Sequence, residues 1–240
     1  DLAKGFGGSV VLLTTAENLE EDPALLDRAG EKLASISGIT VEKKSRAGLA
    51  RDVIIAETIE SHPTITIVPP AGRRGISRMI KGSRVKAVVH NAPSTVMVAR
   101  KPVSDHIRRI LVAVSGGPIS QTTVLSAQEV AKALQAKVTL LHVKSGVPIP
   151  FGESTPEPVD TNVSALLDPL AREGIDAQLK VREGMVVHEV IAECEEGHYD
   201  LVILGQHIAR RETGGIFSEN LAEDIALECP IPVLVVRPRK

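Results

Sequence analysis

Arg109-Ile110-Leu111-Val112-Ala113-Val114-Ser115-Gly116-Gly117-Pro118-Ile119-Ser120 is the stretch on which the fold turns. A continuous aliphatic run gives way to a tight turn, and Pro118 stands where a first helical turn accepts proline. Reading outward predicts strand 109–114, helix 119–135, strand 137–143, helix 161–173, strand 176–182, helix 185–196, strand 200–204, helix 219–228 and strand 232–237. Uninterrupted Val/Ile/Leu runs are expected of strands covered by helices on both faces. Strands alternating with helices imply a doubly wound α/β fold with a parallel sheet.

The same unit is legible a second time upstream. Val10-Val11-Leu12-Leu13 resembles Val138-Thr139-Leu140-Leu141, an offset of 128. Ser45-Arg46-Ala47-Gly48 resembles Val181-Arg182-Glu183-Gly184, and Thr64 to Val68 stands where Asp200 to Leu204 stands, both at an offset of 136. Thr95 to Arg100 answers Pro232 to Arg237 at 137. The change of eight falls in one loop, where insertions are tolerated. The upstream copy reads strand 9–15, helix 24–36, strand 39–46, helix 49–60, strand 64–68, helix 83–91 and strand 95–99. It lacks the first strand and most of the first helix, since Asp1-Leu2-Ala3-Lys4-Gly5 aligns with the end of that helix, Glu129 to Ala133. A doubly wound sheet places that strand centrally, so its loss should leave a gap. About twenty further residues are expected upstream of Asp1 in the parent protein, by comparison with the complete copy. The expected domains are 1–101 and 107–240, with a linker from Lys101 to His106. The irregular stretch Lys144 to Asp160, with four prolines, reads as a loop.

Composition excludes several functions. The 240 residues carry 28 Lys+Arg against 30 Asp+Glu, net charge −2, which gives no overall pull toward nucleic acid or anionic membrane. Only Phe6, Phe151, Tyr199 and Phe217 are aromatic, so no platform exists for stacking bases. No apolar run reaches the length of a membrane span, and no signal peptide is expected before the first strand. Cys194 and Cys229 lack C-x-x-C spacing and read as buried thiols of a reducing cytoplasm. The seven histidines show no metal-ligand spacing, and His142 reads as a packed strand residue.

One segment is built for an anion. Residues 71–86 carry Arg73, Arg74, Arg78, Lys81, Arg84 and Lys86 and no acid. Gly72, Gly75 and Gly82 permit close approach of backbone amides, and Ser83 is read as opening a helix whose N-terminus favours phosphate. A solvated basic loop with an N-cap at Ser83 explains the same residues. With Gly82-Ser83-Arg84-Val85-Lys86-Ala87-Val88-Val89 and Thr95 to Val98, the segment closely resembles the C-terminal signature of universal stress protein domains. That pattern is G-x-x-G, nine residues, then G-[ST]. Gly72, the spacer and Gly82-Ser83 match, while Pro69 replaces the first glycine. The second copy resembles the same family from Arg109 through Arg237, so nearly the whole chain looks like a tandem universal stress protein.

The resemblance implies binding of ATP, with or without Mg. Gly72, Gly82, Ser83 and the Pro69 position would hold phosphate, Arg73 and Arg74 would screen its charge, and Thr15 would border the adenine. The second copy is expected to be degenerate around Gly205, Ser115, Val143, Ser218 and Glu219. Ser115 replaces the acid that contacts adenine in nucleotide-binding members, and Glu219 puts a carboxylate at the phosphate position. The implied role is a cytoplasmic regulator, non-catalytic or at most a slow ATPase, with the final strands paired as an internal pseudo-dimer or between two chains. A ligand-free interaction scaffold and the cytosolic tail of a membrane transporter are the other readings. An enzyme remains a further alternative, because Ser115-Gly116-Gly117-Pro118-Ile119-Ser120 resembles the S-G-G-x-D-S loop of PP-loop ATP pyrophosphatases, with Ile119 in place of the acid.

Overall fold

A computed structural model describes residues 2–5, 8–16, 23–70, 77–100, 106–144, 163–206 and 221–237. The N-terminal elements are α1 (Leu2–Gly5), β1 (Ser9–Ala16), α2 (Pro23–Ala34), β2 (Thr40–Ala47), α3 (Ala50–Ser61), β3 (Ile65–Val68), α4 (Ser77–Asn91) and β4 (Thr95–Val98). They are followed by β5 (Arg109–Val114), α5 (Pro118–Leu134), β6 (Lys137–Lys144), a 3-10 turn Ala165–Leu167, α6 (Asp168–Arg172), β7 (Ala177–Glu183), α7 (Val186–Gly197), β8 (Leu201–Gly205), α8 (Leu221–Glu228) and β9 (Val233–Val236).

Seven strands form one sheet in the order β3-β4-β9-β8-β5-β6-β7. All neighbours run parallel except β4 and β9, which are antiparallel. The central strands are aliphatic and closed to solvent: every residue of β9, and Leu201 to Leu204 of β8, is buried. The edge strand β7 instead exposes Gln178, Lys180, Val181 and Glu183 and half-buries Ala177, Leu179 and Arg182. Side chains alternate between two core clusters. Leu111, Val202, Val233, Val235, Val96 and Val98 lie on one face, and Ile110, Val112, Ile203, Leu234 and Met97 on the other. Each cluster draws on both halves of the chain, so one core runs through the junction. Burying a Val or Leu this fully stabilises by about 1.5–3 kcal/mol.

The junction has local two-fold symmetry. Val96 pairs with Val235, Met97 with Leu234 and Val98 with Val233, so the dyad passes through Met97 and Leu234, which are equivalent at the offset of 137. Each half secures the other's last helix. An Arg100 Nη2 donates to the carbonyls of Ala226 and Leu227 at 2.9 and 2.6 Å, at the end of α8. Arg237 donates to Val89 at 2.8 Å and to His90, at the end of α4. The expected antiparallel pairing of the final strands is thus made within one chain.

The expected gap is also present. β1 and β2 form a separate two-stranded parallel sheet, while their counterparts β6 and β7 continue the main sheet beside β5. No strand among the described residues joins β1 to β3.

The duplication extends to charges. In β2 and α3, Lys44 and Arg46 reach Glu57 at 2.9 and 2.8 Å, and Arg46 reaches Glu60 at 2.7 Å. At an offset of 136, Lys180 and Arg182 reach Glu193 at 2.5 and 3.0 Å, and Arg182 reaches Glu196 at 2.8 Å. α3 and α7 both end on a left-handed histidine, His62 with φ 45° and His198 with φ 51°.

Two helices differ from expectation. The predicted helix 161–173 is split into a 3-10 turn and α6, because Pro169 offers no amide to carry an unbroken helix through it. The helix expected to begin at Ser83 begins at Ser77. Ser77-Arg78-Met79-Ile80-Lys81 has no strong breaker, and the single Gly82 costs only about 1 kcal/mol inside a helix.

Candidate functional site

The gap carries a shallow cleft of about 170 Å³ that opens to solvent. Leu13, Thr14 and Thr15 come from the C-terminal half of β1, and Val68 and Pro69 from the end of β3. α3 adds Ala50 and Ile54, and α4 adds Arg84, Val85 and Val88. This is the place where a doubly wound sheet binds ligands, outside the carboxyl ends of its strands where the strand order reverses. The lining has an apolar floor, two hydroxyls and one guanidinium. Such a lining suits a ligand with an apolar ring and an anionic end.

Of the residues singled out from the sequence, Thr15 and Pro69 line this cleft together. Gly72, Arg73 and Arg74 lie outside the described residues. Gly82 and Ser83 lie inside α4, about a turn and a half from its start, where their amides bond back along the helix. The reading of Ser83 as the residue that opens the helix is therefore corrected: the helix begins at Ser77, whose first-turn amides have no partner within the helix. Arg84 was legible only as one of six basic residues; its place in the cleft follows from the face of α4 that also brings Val85 and Val88 there.

The second copy is differently arranged. Ser115 is exposed, and the amides of Ser115 and Gly116 donate to Ser120 Oγ at 3.0 and 3.1 Å. The loop that resembles a pyrophosphate cradle therefore spends those two amides on its own helix. Gly205 has a packing reason: a Cβ there would stand 2.4 Å from Thr123 Oγ1 and 2.6 Å from Ile119 Cγ1 on α5. Val143, the counterpart of Thr15, packs against the hydrophobic core. Ser218 and Glu219 lie outside the described residues.

Other candidates resolve structurally. His142 is buried, and its Nδ1 donates to the Val114 carbonyl at 3.1 Å. Cys194 and Cys229 are buried free thiols with sulfurs 3.6 Å apart, and the neighbouring Cys229 together with burial pushes the Cys194 thiol up. Burial pushes Glu193 up, but Lys180, Tyr199 and Arg182 together hold it below the usual carboxylate range. Among the described residues, no three His, Cys, Asp or Glu gather as a metal site, and no helix is long and apolar enough to cross a membrane.

A seven-stranded sheet shared by two α/β halves, antiparallel only at their junction, defines a tandem doubly wound α/β protein. The sequence profile of the Universal stress protein family matches residues 1–100 and 106–237, and the chain belongs to that family. It is 24% identical over 219 residues to a universal stress protein of Mycolicibacterium smegmatis, covering 86% of this chain and 72% of that protein. It is 27% identical over 112 residues to Universal stress protein A homolog 1 of Coxiella burnetii, covering 42% of this chain and 78% of that one. A functionally unknown protein from Pseudomonas aeruginosa PAO1 has the same fold, with TM-score 0.73, 16% identity, and coverage of 99% of this chain and 85% of that one. So has a universal stress protein from Archaeoglobus fulgidus, with TM-score 0.64, 19% identity, and coverage of 95% and 85%.

Proposed function

We propose that the protein is a regulatory adenine-nucleotide-binding member of its family, with its ligand site on the N-terminal half. The cleft at the ends of β1 and β3 carries the reading, because it joins an apolar floor to a guanidinium at the reversal point of the sheet. Thr15 borders the base. Arg84 supplies charge for the phosphates of ATP, with or without Mg, and the basic segment with Pro69, Gly72, Arg73 and Arg74 would approach them, while Gly82 and Ser83 keep their amides within α4. The role is binding and signalling, with at most slow hydrolysis, in the cytoplasm or on the cytosolic side of a membrane parent. The C-terminal half supports the fold: its first loop has turned two amides to Ser120, and Val143 packs inward.

Equilibrium dialysis with radiolabelled ATP tests this. One nucleotide per chain is expected, with affinity falling about tenfold or more in Arg84→Glu, since one tenfold step is about 1.4 kcal/mol and the change reverses a charge. Two equivalent nucleotides per chain, or unchanged affinity in that variant, would refute the assignment.

A further inference from the structure

The two cysteines of the chain meet inside the second half. We propose that Cys194 and Cys229 form a reversible disulfide on exposure to hydrogen peroxide, a redox site that stands apart from the nucleotide cleft.

Three observations carry this. First, the thiols are already in contact. Cys194 lies on α7 and Cys229 follows directly on α8, both within one core cluster, with sulfurs 3.6 Å apart. To bond, the sulfurs need to close by about 1.5 Å.

Second, the surroundings divide the roles and leave a way in. The Cys194 thiol, the Ile231 amide and the Arg100 guanidinium favour negative charge on Cys229 and hold its pKa below that of an ordinary thiol, against the effect of burial. Cys194 is pushed the other way by Cys229, by burial and by Glu193 and Glu195. Cys229 is thus the nucleophile and Cys194 the thiol that resolves it. Cys229 is buried, but its neighbours in the chain, Glu228 and Pro230, are exposed where α8 ends. Its amide bonds to the Ile225 carbonyl at 2.9 Å, and Pro230 has no amide to extend the helix. Fraying of that last turn admits a molecule as small as hydrogen peroxide.

Third, sulfur is not needed to fill the place. At offsets of 136 and 137 the counterparts are Thr58 and Ala92, which are equally buried. Thr58 Oγ1 donates to the Ile55 carbonyl at 2.7 Å. One half closes this contact with a hydroxyl and a methyl, so packing alone does not account for two thiols in the other.

The Cys229 thiolate attacks one oxygen of the peroxide. An S–O bond forms as the O–O bond breaks, and the departing hydroxide takes up the proton that Cys229 gave off, leaving as water. The Cys194 sulfur then attacks the Cys229 sulfur. The S–S bond forms, the S–O bond breaks, and the leaving hydroxide carries off the Cys194 proton as a second water. The two sulfurs lose two electrons and the peroxide gains them. A small-molecule dithiol, itself oxidised to a cyclic disulfide, reverses the change. The bridge staples α7 to the end of α8, whose carbonyls Arg100 of the first half also holds.

The test exposes the full native chain to hydrogen peroxide, blocks the remaining thiols and reads the cysteine peptides by mass. The expected product is a peptide pair joined through Cys194 and Cys229 of a single chain and released by dithiothreitol. Its Tm should stand about 5 °C or more above that of the reduced chain, since the bridge closes a loop across 35 residues of sequence. Cys194→Thr should leave Cys229 to be trapped as a sulfenic acid by dimedone, and Cys229→Ala should leave Cys194 reacting about tenfold or more slowly. The double variant carries the first half's own residues at both places and should fold without forming the pair. Thiols that stay free at a dose that fully oxidises the unfolded chain would overturn the proposal. So would bridges formed only between chains, a Tm below that of the reduced chain, or equal rates in the two single variants.

Discussion

Replacing Arg100 by Ala removes two hydrogen bonds that cross from the N-terminal half to the end of α8, at 2.9 and 2.6 Å. Hydrogen bonds from a charged donor are worth about 1.5–3 kcal/mol each, and a cation at a helix C-terminus gains a further few tenths. Both bonds are only part-buried, so water takes over some of the lost contacts. The net loss is then about 2–3 kcal/mol rather than the full sum. For a chain of this size that lowers Tm by about 4–12 °C. Arg237→Ala removes the equivalent grip on α4 and should cost a similar amount. The two side chains hold different helix ends, so in urea titrations the double variant should equal the sum of the singles within about 0.5 kcal/mol. Arg100→Ala with an unchanged midpoint would refute the view that these arginines tie the halves together. A double variant no worse than either single would refute their independence.

Two further expectations concern pH and packing. The Lys44 hydrogen bond lowers the pKa of Glu57, and Arg182 lowers those of Glu189 and Glu196, all from an ordinary 4.5. Their contribution to stability is whole above that value and is lost as pH falls through the depressed folded values, so urea midpoints should fall between about pH 5 and pH 3; a flat profile there would contradict it. Gly205→Ala forces a methyl against Thr123 and Ile119, at a cost of about 1–3 kcal/mol, and a calorimetric Tm equal to the parent's would show that α5 yields freely.

The architecture was legible because offsets of 128, 136 and 137 recur across separate elements, and an extra or missing element breaks such a series visibly. The gap and the antiparallel final strands both followed from that pattern. The start of α4 was not legible, because Gly82 and the basic residues around it read as a loop, whereas the helix tolerates one glycine. The cleft escaped for a different reason. Its lining comes from β1, α3, β3 and α4, and what shapes it is an element the first half does not have. Pro69 was found through its alignment with a signature and Thr15 through the family resemblance, but no local pattern marks Ala50, Ile54 or Val88. The Lys–Arg–Glu–Glu network was present at an offset of 136 in plain sight, yet charges scattered over two elements show no periodicity.

The junction between the halves has a consequence for what each could do alone. Lys86 meets Asp224 at 2.8 Å, and His90 meets Glu223 at 2.9 Å. At the offset of 137, Lys86 is equivalent to Glu223, Ala87 to Asp224 and His90 to Leu227. Two copies of the first half, docked in the same way, would set Lys86 against Ala87 and His90, with no carboxylate in reach. Two copies of the second would set Glu223 against Asp224, acid against acid. The halves have become a lock and a key that travel on one string. Dilution cannot part them, since a short tether holds the partner at an effective concentration on the order of millimolar. A free copy of either half would lose these two pairs with its own kind and keep them with the other.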